Sequence, residues 1–323
     1  MNILVLGAGT FGTAIANELA INKKNNVILF SRSQEKVREI NQNSTNQNFF
    51  PNKKLTKELT ATSDINDIKY IDIIFIALPS SKIIDTLFSI KHNFKKDVLI
   101  INLSKGLYKN GITIVESIKK KIDIKNVITL KGPSFAVEIM EHAETLLTLG
   151  YSTSNQYRTV IKIIKNTSLN IDSTKDILGV EVLSVLKNIY ALFIGVIDAK
   201  YDSPNTRFMF LTKAFSEIRI ILKFLGGKEE TLFLGCGFGD LCLTSLNDLS
   251  RNRTLGLLIG KDFFNFNDNS NNTILEGVRA IMIMNNLLPK ELKRSLPIFN
   301  KLNNFFSKKK QKFEIDFKQL FKT

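Results

Sequence analysis

Short apolar runs and amphipathic stretches alternate along the first half of the chain. Five apolar runs have the length and branching of buried strands: residues 3–6, 27–30, 73–78, 98–103 and 127–130. Four stretches have helical spacing: residues 13–20, 33–42, 81–91 and 112–121. Strands that alternate with helices predict a parallel, doubly wound sheet whose ligands lie at the carboxyl ends of the strands. Residues 145–149 and 168–171 are expected to extend this sheet.

The strand pattern ends near residue 175, and the remaining chain has helical spacing. Five helices are predicted there: residues 177–197, 208–224, 240–246, 251–259 and 274–286. We therefore predict an α/β domain over residues 1–175 and a mainly α-helical domain over residues 176–323. The polar stretch 265–272 is expected to be a connection within the helical domain.

The sequence Gly-Ala-Gly-Thr-Phe-Gly at 7–12 lies between the first predicted strand and its helix. In that context Gly7 permits a tight turn, Gly9 lets a pyrophosphate approach the backbone, and Gly12 lets helix and strand pack closely. The helix N-terminus then faces the phosphates. The motif predicts a Rossmann-type dinucleotide-binding domain; the alternative is an ordinary glycine turn.

The end of the second strand bears on which dinucleotide binds. An Asp or Glu that binds the ribose hydroxyls of NAD is expected about 20 residues after the glycines. This chain instead has Phe30-Ser31-Arg32-Ser33. Arg32 is the residue type that accommodates a 2′-phosphate, with Ser31 or Ser33 as a hydrogen-bond partner. The pattern favours NADP, or use of both NADP and NAD; the alternative is a surface arginine.

Composition narrows the partners further. The 323 residues carry a net charge of +15, but the lysines are spread along the chain, so we expect no nucleic-acid partner. The lysine-rich run at 308–312 is interpreted as a solvated tail helix or loop. A basic protein attracts phosphorylated, anionic substrates. No signal peptide and no run of about 18 apolar residues is present, which predicts a cytoplasmic protein without a membrane span.

A lysine is the best candidate for acid–base chemistry. Two cysteines and two histidines form neither a disulfide framework nor a metal-binding pattern. Neither histidine is expected at a strand end or in a polar cluster. Lys187 lies within an apolar helical segment, on one face with Ser184 and Asn188. A buried lysine there has its pKa lowered by burial and by a second cation, for which Lys105 is the candidate. The alternative is that the aliphatic part of the Lys187 side chain lies along the apolar helix and places the amine at the protein surface.

A second polar cluster follows in the helical half. Residues 235–239 are rich in glycine, and Asp240 begins a predicted helix. Ser250 is expected to be the N-cap of the next helix, with Arg251 and Asn252 in its first turn. An arginine at the positive end of a helix dipole indicates a bound anion, and we predict that Ser250, Arg251 and Asn252 bind a phosphate group there. For Ser250 alone, plain capping is the alternative.

Taken together, these segments resemble bacterial NAD(P)-dependent glycerol-3-phosphate dehydrogenases. The matching segments are GAGTFGTAIA at 7–16, SKGL at 104–107, GPSFAVE at 132–138, GVE at 179–181, LKNI at 186–189, GDLCLTS at 239–245, SRNR at 250–253 and EG at 276–277. They occur in the family's order across residues 3–280, and their combination is far more specific than any one of them.

The resemblance implies a role for each matching residue. Cofactor contacts are implied for Thr10, Phe11, Arg32, Lys105, Ala136, Arg251, Ile274 and Glu276, beside the three glycines of the loop. Substrate contacts are implied for Lys105, Gly132, Ser134, Lys187, Asp240, Ser250, Arg251 and Asn252. Lys187 matches the family's proton acceptor. The helical domain would then bind the substrate and carry the catalytic residues.

The implied reaction is reduction of dihydroxyacetone phosphate to sn-glycerol 3-phosphate, which supplies phospholipid synthesis. The chain departs from the family at 48–51, 183–185 and 203–214, where bulkier residues are expected to fill the helical core near the site. Two alternatives stay open: another two-domain β-hydroxyacid-type dehydrogenase, and a cofactor-binding sensor without turnover. The sequence does not decide whether the chain forms a homodimer.

Overall fold

The computed structural model describes residues 1–266 and 276–321. The chain divides into two compact units. The first contains Met1–Ser104 and Thr113–Ile177, and the second contains Lys105–Ile112 and Leu178–Thr323. Segment 105–112 thus belongs with the second unit, which the sequence analysis did not predict. The assignment of residues 1–175 and 176–323 to cofactor and substrate binding stays a prediction.

An eight-stranded sheet forms the first unit. Its strands are β1 (Asn2–Leu6), β2 (Asn26–Phe30), β3 (Thr60–Thr62), β4 (Ile73–Ile76), β5 (Leu99–Asn102), β6 (Val127–Lys131), β7 (Thr145–Gly150) and β8 (Leu169–Thr174). Their order is β3-β2-β1-β4-β5-β6-β7-β8. All neighbouring strands are parallel except β6 and β7. The predicted fold class is confirmed, with the correction that β7 and β8 run against the other six strands.

The helices of the first unit connect these strands. They are α1 (Thr10–Ala20), α2 (Gln34–Asn43), α3 (Ile83–Ile90), α4 (Ile114–Lys121), α5 (Ala136–Ile139) and α6 (Ser154–Ile163). Every residue of α1 from Gly12 onwards is buried. The apolar side chains of α1 pack with those of the central strands and form the core of this unit.

Helices make up most of the described part of the second unit. Its helices are α7 (Ile177–Lys200), α8 (Pro204–Phe224), α9 (Asp240–Leu246), α10 (Arg251–Gly260), α11 (Glu276–Leu287), α12 (Lys290–Lys293), α13 (Pro297–Ser307) and α14 (Phe317–Phe321). The last three were not predicted. Helix α8 begins four residues earlier than expected, because Ser203 caps it and Pro204 fits its first turn. Residues 308–312 form an exposed turn and loop rather than a helix.

The bulky residues at the start of α8 only partly fill the core. Phe210 is buried, but Phe208 and Met209 are exposed. The expectation that this whole segment enlarges the helical core is therefore wrong for two of its residues. The helix turns these two side chains toward solvent.

Helix α7 is the centre of the second unit's core. By length and composition it could cross a membrane, since its apolar stretch has a mean hydropathy of 1.8. That whole stretch is nevertheless buried within the protein. The backbone of α10 packs directly on α7. A Cβ on Gly256 would lie 2.0 Å from the carbonyl oxygen of Leu192, and one on Gly195 would lie 2.3 Å from that of Arg253. These two glycines set the close approach between the helices.

Candidate active site

Lys187 is buried in the middle of α7 and does not reach the surface. Only 5% of the residue is exposed. Its Nζ donates to Oδ1 of Asp240 at 2.5 Å and to Oγ1 of Thr244 at 2.7 Å. Asp240 is the first residue of α9, and Thr244 lies one turn later. The buried interpretation of Lys187 is therefore confirmed, and its partners are a carboxylate and a hydroxyl.

Lys105 brings a second ammonium group to the same carboxylate. Its Nζ lies 3.0 Å from Oδ2 of Asp240, and 19% of its side chain is exposed against 1% for Asp240. One buried carboxylate thus pairs with two amines. Thr244 also belongs to this group, since its hydroxyl is 3.3 Å from Oδ1 of Asp240. We call Lys105, Lys187, Asp240 and Thr244 the lysine cluster.

The two lysines of the cluster differ in basicity. Burial lowers the pKa of Lys187 to about 7; the nearby charge of Lys105 acts in the same direction, and Asp240 opposes both. For Lys105, burial is the largest influence and lowers its pKa, but the carboxylates of Asp240 and Glu276 and the hydrogen bonds with Lys187 and Asp240 together raise it. At neutral pH Lys105 is therefore protonated, whereas Lys187 is close to its pKa and can be present with or without its proton. This is the arrangement that a general acid–base requires.

The first turn of α10 holds the predicted phosphate ligands. Ser250 is its N-cap, and its Oγ accepts from the backbone N–H of Arg253 at 3.3 Å. Arg251 is exposed. Asn252 is buried, and its Oδ1 accepts from the backbone N–H of Gly277 at 3.0 Å. Two of the three side chains therefore have structural partners within the helical unit, and Arg251 is the one that extends outward.

The pair Glu276-Gly277 is held against α7 and α10. Nδ2 of Asn188 lies 3.4 Å from Oε2 of Glu276. A Cβ on Gly277 would lie 2.7 Å from Oδ1 of Asn252 and 2.8 Å from the carbonyl oxygen of Asn188. Only glycine permits that approach. Ile274, the other predicted cofactor contact in this region, lies outside the described residues.

An ion-pair cluster centred on the buried carboxylate of Asp198 supports the start of α10. Asp198 on α7 pairs with Nη1 of Arg253 and, at 2.5 Å, with Nε of Arg207. Nε of Arg253 also lies 3.0 Å from Oδ1 of Asp248. The sequence analysis missed this cluster. The only sequence signal was a second arginine in the segment Ser-Arg-Asn-Arg, immediately after the predicted ligands.

In the first unit, the glycine loop has the geometry that the motif predicts. Gly7 adopts a φ of +115°, and a Cβ on Gly12 would lie 1.9 Å from the carbonyl oxygen of Gly7. The space beside Gly9 is open, with no atom within 4 Å of an added Cβ. Thr10 and Phe11 begin α1, Thr10 exposed and Phe11 half-buried. This loop fits a dinucleotide pyrophosphate, because its open side lies at the N-terminus of a helix.

The other predicted contacts of the first unit lie in loops after its strands. Arg32 is exposed directly after β2. Gly132 is buried after β6, where a Cβ would lie 2.6 Å from the carbonyl oxygen of Leu146. The hydroxyl of Ser134 donates to the carbonyl oxygen of Gly132 at 3.0 Å, and Ala136 begins α5. The sequence predicted 132–136 as one loop, which is wrong for Ala136 because it is the first residue of α5, and the roles of these residues stay predictions.

One expectation about the histidines is wrong. His142 lies in a polar cluster, with Nδ1 2.7 Å from Oε2 of the buried Glu18. The other oxygen of Glu18 accepts from the backbone N–H and the hydroxyl of Ser168. A pocket of about 580 Å³ adjoins this cluster, and none of the predicted site residues lines it. The pairing was missed because Glu18 and His142 are far apart in sequence.

Two features now define the class of protein: a Rossmann-type unit with an open glycine loop, and a helical unit with a buried lysine–carboxylate cluster. They are typical of two-domain nicotinamide-dependent dehydrogenases. Family models of the NAD-dependent glycerol-3-phosphate dehydrogenase N-terminus and C-terminus match residues 2–157 and 176–315. The chain belongs to the NAD-dependent glycerol-3-phosphate dehydrogenase family.

Individual relatives agree with this assignment. The chain is 35% identical over 286 residues to a glycerol-3-phosphate dehydrogenase [NAD(P)+] from Methanothermobacter thermautotrophicus, with 87% of each chain covered. It is 34% identical to a protein of the same name from Leptospira biflexa, with 90% of this chain and 89% of the relative covered. A crystal structure of glycerol-3-phosphate dehydrogenase from Coxiella burnetii superimposes with a TM-score of 0.84 at 25% identity, covering 96% and 95% of the two chains.

Proposed function

We propose that this protein reduces dihydroxyacetone phosphate to sn-glycerol 3-phosphate with NADPH or NADH, and catalyses the reverse reaction. The observation that carries this proposal is the lysine cluster, in which a lysine with a pKa of about 7 shares one buried carboxylate with a second cation. The family and the names of its relatives supply the substrate class.

Lys187 is the proposed acid–base group. When bound, a reduced nicotinamide would supply the hydride that C2 of the substrate accepts. Lys187 gives its proton to the oxygen of C2 as the carbonyl becomes an alcohol, and in the oxidation it takes that proton back. Asp240 and Thr244 fix the position of its Nζ at 2.5 and 2.7 Å. Lys105 stays charged and stabilises the negative charge that develops on the oxygen.

Arg251 is the proposed principal ligand of the substrate phosphate. It extends from the first turn of α10, where the helix dipole adds positive potential. Ser250 and Asn252 are proposed to contribute through the shape of that turn, because their side chains also cap the helix and hold Gly277. Binding the phosphate at this point would fix the reacting carbon relative to the protein.

On the cofactor side, the proposed contacts are the glycine loop with Thr10 and Phe11, together with Arg32, Ala136 and Glu276. The product would enter glycerophospholipid synthesis in the cytoplasm. The net charge of +15 favours capture of a phosphorylated, anionic substrate over a neutral one.

The test is oxidation of NADPH and NADH with dihydroxyacetone phosphate as the acceptor, followed by absorbance. Unphosphorylated dihydroxyacetone is the matched control for the phosphate. We expect turnover with the phosphate ester and a value of kcat/KM lower by at least about a hundredfold with the control. Equal rates with both acceptors would indicate another dehydrogenase. Binding of cofactor without turnover on either acceptor would indicate a sensor.

A further inference from the structure

A second cation lies near the end of β2, on the first turn of α2. Lys36 is half-buried, and its Nζ lies 3.3 Å from the carbonyl oxygen of Ala8, inside the glycine loop. The same ammonium group lies 4.4 Å from the centre of the Phe49 ring. A flexible side chain is thus held in one position by a carbonyl on one side and an aromatic face on the other.

The turn before α2 directs Lys36 toward the glycine loop. Ser31 Oγ accepts from the backbone N–H of Ser33 at 3.2 Å, and Ser33 Oγ accepts from the backbone N–H of Lys36 at 3.3 Å. These two bonds fix the path of the chain from β2 into the helix. Arg32, between the two serines, is exposed. Two cations therefore flank one short turn of backbone.

The position of Lys36 matters because of what binds there in this fold. The adenosine ribose of a dinucleotide lies between the glycine loop and the residue that follows β2. Ala8 belongs to the first of these segments and Arg32 to the second. An ammonium group that reaches Ala8 from α2 would therefore lie beside the ribose of a bound dinucleotide, where NADP carries its 2′-phosphate.

The contacts of Lys36 also indicate which group it would bind. Its bond to Ala8, at 3.3 Å, is long for an ammonium group and joins it to a neutral carbonyl. A phosphate offers shorter, charge-assisted hydrogen bonds. The contact with the Phe49 ring can persist while the ammonium group turns from the carbonyl to the phosphate. Lys36 is thereby preorganised for an anion.

We infer that Lys36 and Arg32 together bind the 2′-phosphate of the cofactor, so that the protein prefers NADPH over NADH. This inference rests on the proposed function, from which it takes the dinucleotide. Arg32 was assigned to this role from the sequence; Lys36 is assigned by its placement between Ala8 and Phe49. The neutral NADH ribose offers two hydroxyls at the same point and gains no ion pair.

The experiment is equilibrium titration of NADPH and NADH, without substrate, into the wild-type protein and the variants Lys36→Gln and Lys36→Arg. We expect Lys36→Gln to raise the Kd of NADPH by about tenfold to a hundredfold, the range for losing a hydrogen bond to a charged group. The Kd of NADH should change by less than about twofold. Lys36→Arg should keep most of the NADPH affinity. Arg38→Gln, which removes an exposed charge from the same helix, is the matched control for long-range electrostatics.

Four outcomes would overturn the inference. Equal weakening of both cofactors in Lys36→Gln would mean that Lys36 holds the loop or the ribose hydroxyls. An unchanged Kd of NADPH would remove Lys36 from the site and leave the proposed function intact. Equal effects of Lys36→Gln and Arg38→Gln would mean that the loss of affinity comes from the lower net charge and not from a contact of Lys36. If the wild-type protein binds neither dinucleotide, the proposed function fails as well.

Discussion

Helix α7 carries two buried polar clusters three residues apart, and they differ in how their groups are satisfied. Lys187 belongs to the lysine cluster with Asp240. Tyr190 donates from its hydroxyl to Oε2 of Glu217 on α8, at 3.0 Å. Burial lowers the pKa of Lys187 to about 7 and raises that of Glu217 to about 7. By titration alone, both are candidates for acid–base catalysis.

The two clusters differ in their hydrogen-bond partners and in their access to the surface. The carboxylate of Glu217 accepts three hydrogen bonds, from Tyr190 and from the backbone N–H groups of Ile298 and Phe299 at the start of α13. It therefore caps a helix deep in the core, with both residues of the pair fully buried. The lysine cluster instead reaches the surface through Lys105, whose side chain is 19% exposed. A shifted pKa reports burial; access to a reactant distinguishes a catalytic group from a structural one.

The largest effect should follow from Lys187→Met, which keeps the length of the side chain and removes its proton. We expect kcat for dihydroxyacetone phosphate to fall by about 10²- to 10⁴-fold, the usual contribution of general acid–base catalysis. Cofactor binding, measured by titration, should be unchanged. Glu217→Gln is the control on the other cluster and should keep kcat within about threefold. Near-normal turnover in Lys187→Met would transfer the acid–base role to another residue.

The direction of the reaction should reverse the pH dependence. Reduction needs protonated Lys187, so its kcat/KM should be level below pH 7 and fall as pH rises through the pKa of about 7. Oxidation needs neutral Lys187, so its kcat/KM should rise over the same interval. Both profiles are measured with the same enzyme preparation. Parallel profiles in the two directions would contradict a single group that gives and takes the proton.

Glu217 should affect the pH dependence of stability rather than that of catalysis. Its pKa is raised from 4.5 to about 7, so the native carboxyl group keeps a proton that the unfolded chain has lost. The contribution to stability is therefore full below pH 4.5 and decreases as pH rises to 7, by about 3 kcal/mol. Denaturant unfolding of Glu217→Gln should lack this component. The difference between variant and wild type across this pH interval is the measurement, because other carboxylates titrate in both proteins.

The sequence predicted the lysine cluster but not the Tyr190–Glu217 pair. Lys187 was predicted because a lysine is conspicuous in an otherwise apolar helix, and Asp240 because it follows a run of glycines. Glu217 gave no such signal, since it lies among other polar residues of α8. Its partners Ile298 and Phe299 are more than 80 residues away and contribute only backbone N–H groups. Local patterns do not encode contacts of that kind.

The same limit applies to the sheet and to the first turn of α10. Apolar runs predicted seven strands, but β3, Thr60-Ala61-Thr62, has one apolar residue and was missed. The antiparallel pairing of β6 with β7 depends on the path of the connection between them, which hydrophobic spacing does not specify. For Ser250, capping and ligand binding both fitted the sequence. The bond to Arg253 establishes capping, and a role in binding stays a prediction.

Asp198, near the end of α7, belongs to the ion-pair cluster with Arg253, and its substitution should have an intermediate effect. It pairs with Arg253, which follows the proposed phosphate ligand Arg251 by two residues. Asp198→Asn keeps an oxygen acceptor but removes the charge, so the first turn of α10 should loosen. We expect KM for dihydroxyacetone phosphate to rise by about threefold to tenfold, with kcat within about twofold. Arg207→Lys, at the more exposed partner of Asp198, is the control. A fall in kcat at unchanged KM would place Asp198 with the lysine cluster instead.

The smallest effect should come from Tyr190→Phe, which removes one hydroxyl from the buried Tyr190–Glu217 pair. Loss of its hydrogen bond should lower the free energy of unfolding by about 1 kcal/mol. The bond from Tyr190 lowers the pKa of Glu217, so its removal should raise that pKa further. The pH interval over which stability declines should then extend to higher pH, as followed by denaturant unfolding at several pH values. Because Tyr190 lies three residues from Lys187 on the same helix, kcat provides the decisive comparison. If kcat falls with stability, the two clusters act as one network; if kcat is unchanged, α7 keeps its catalytic and structural groups separate within a single turn.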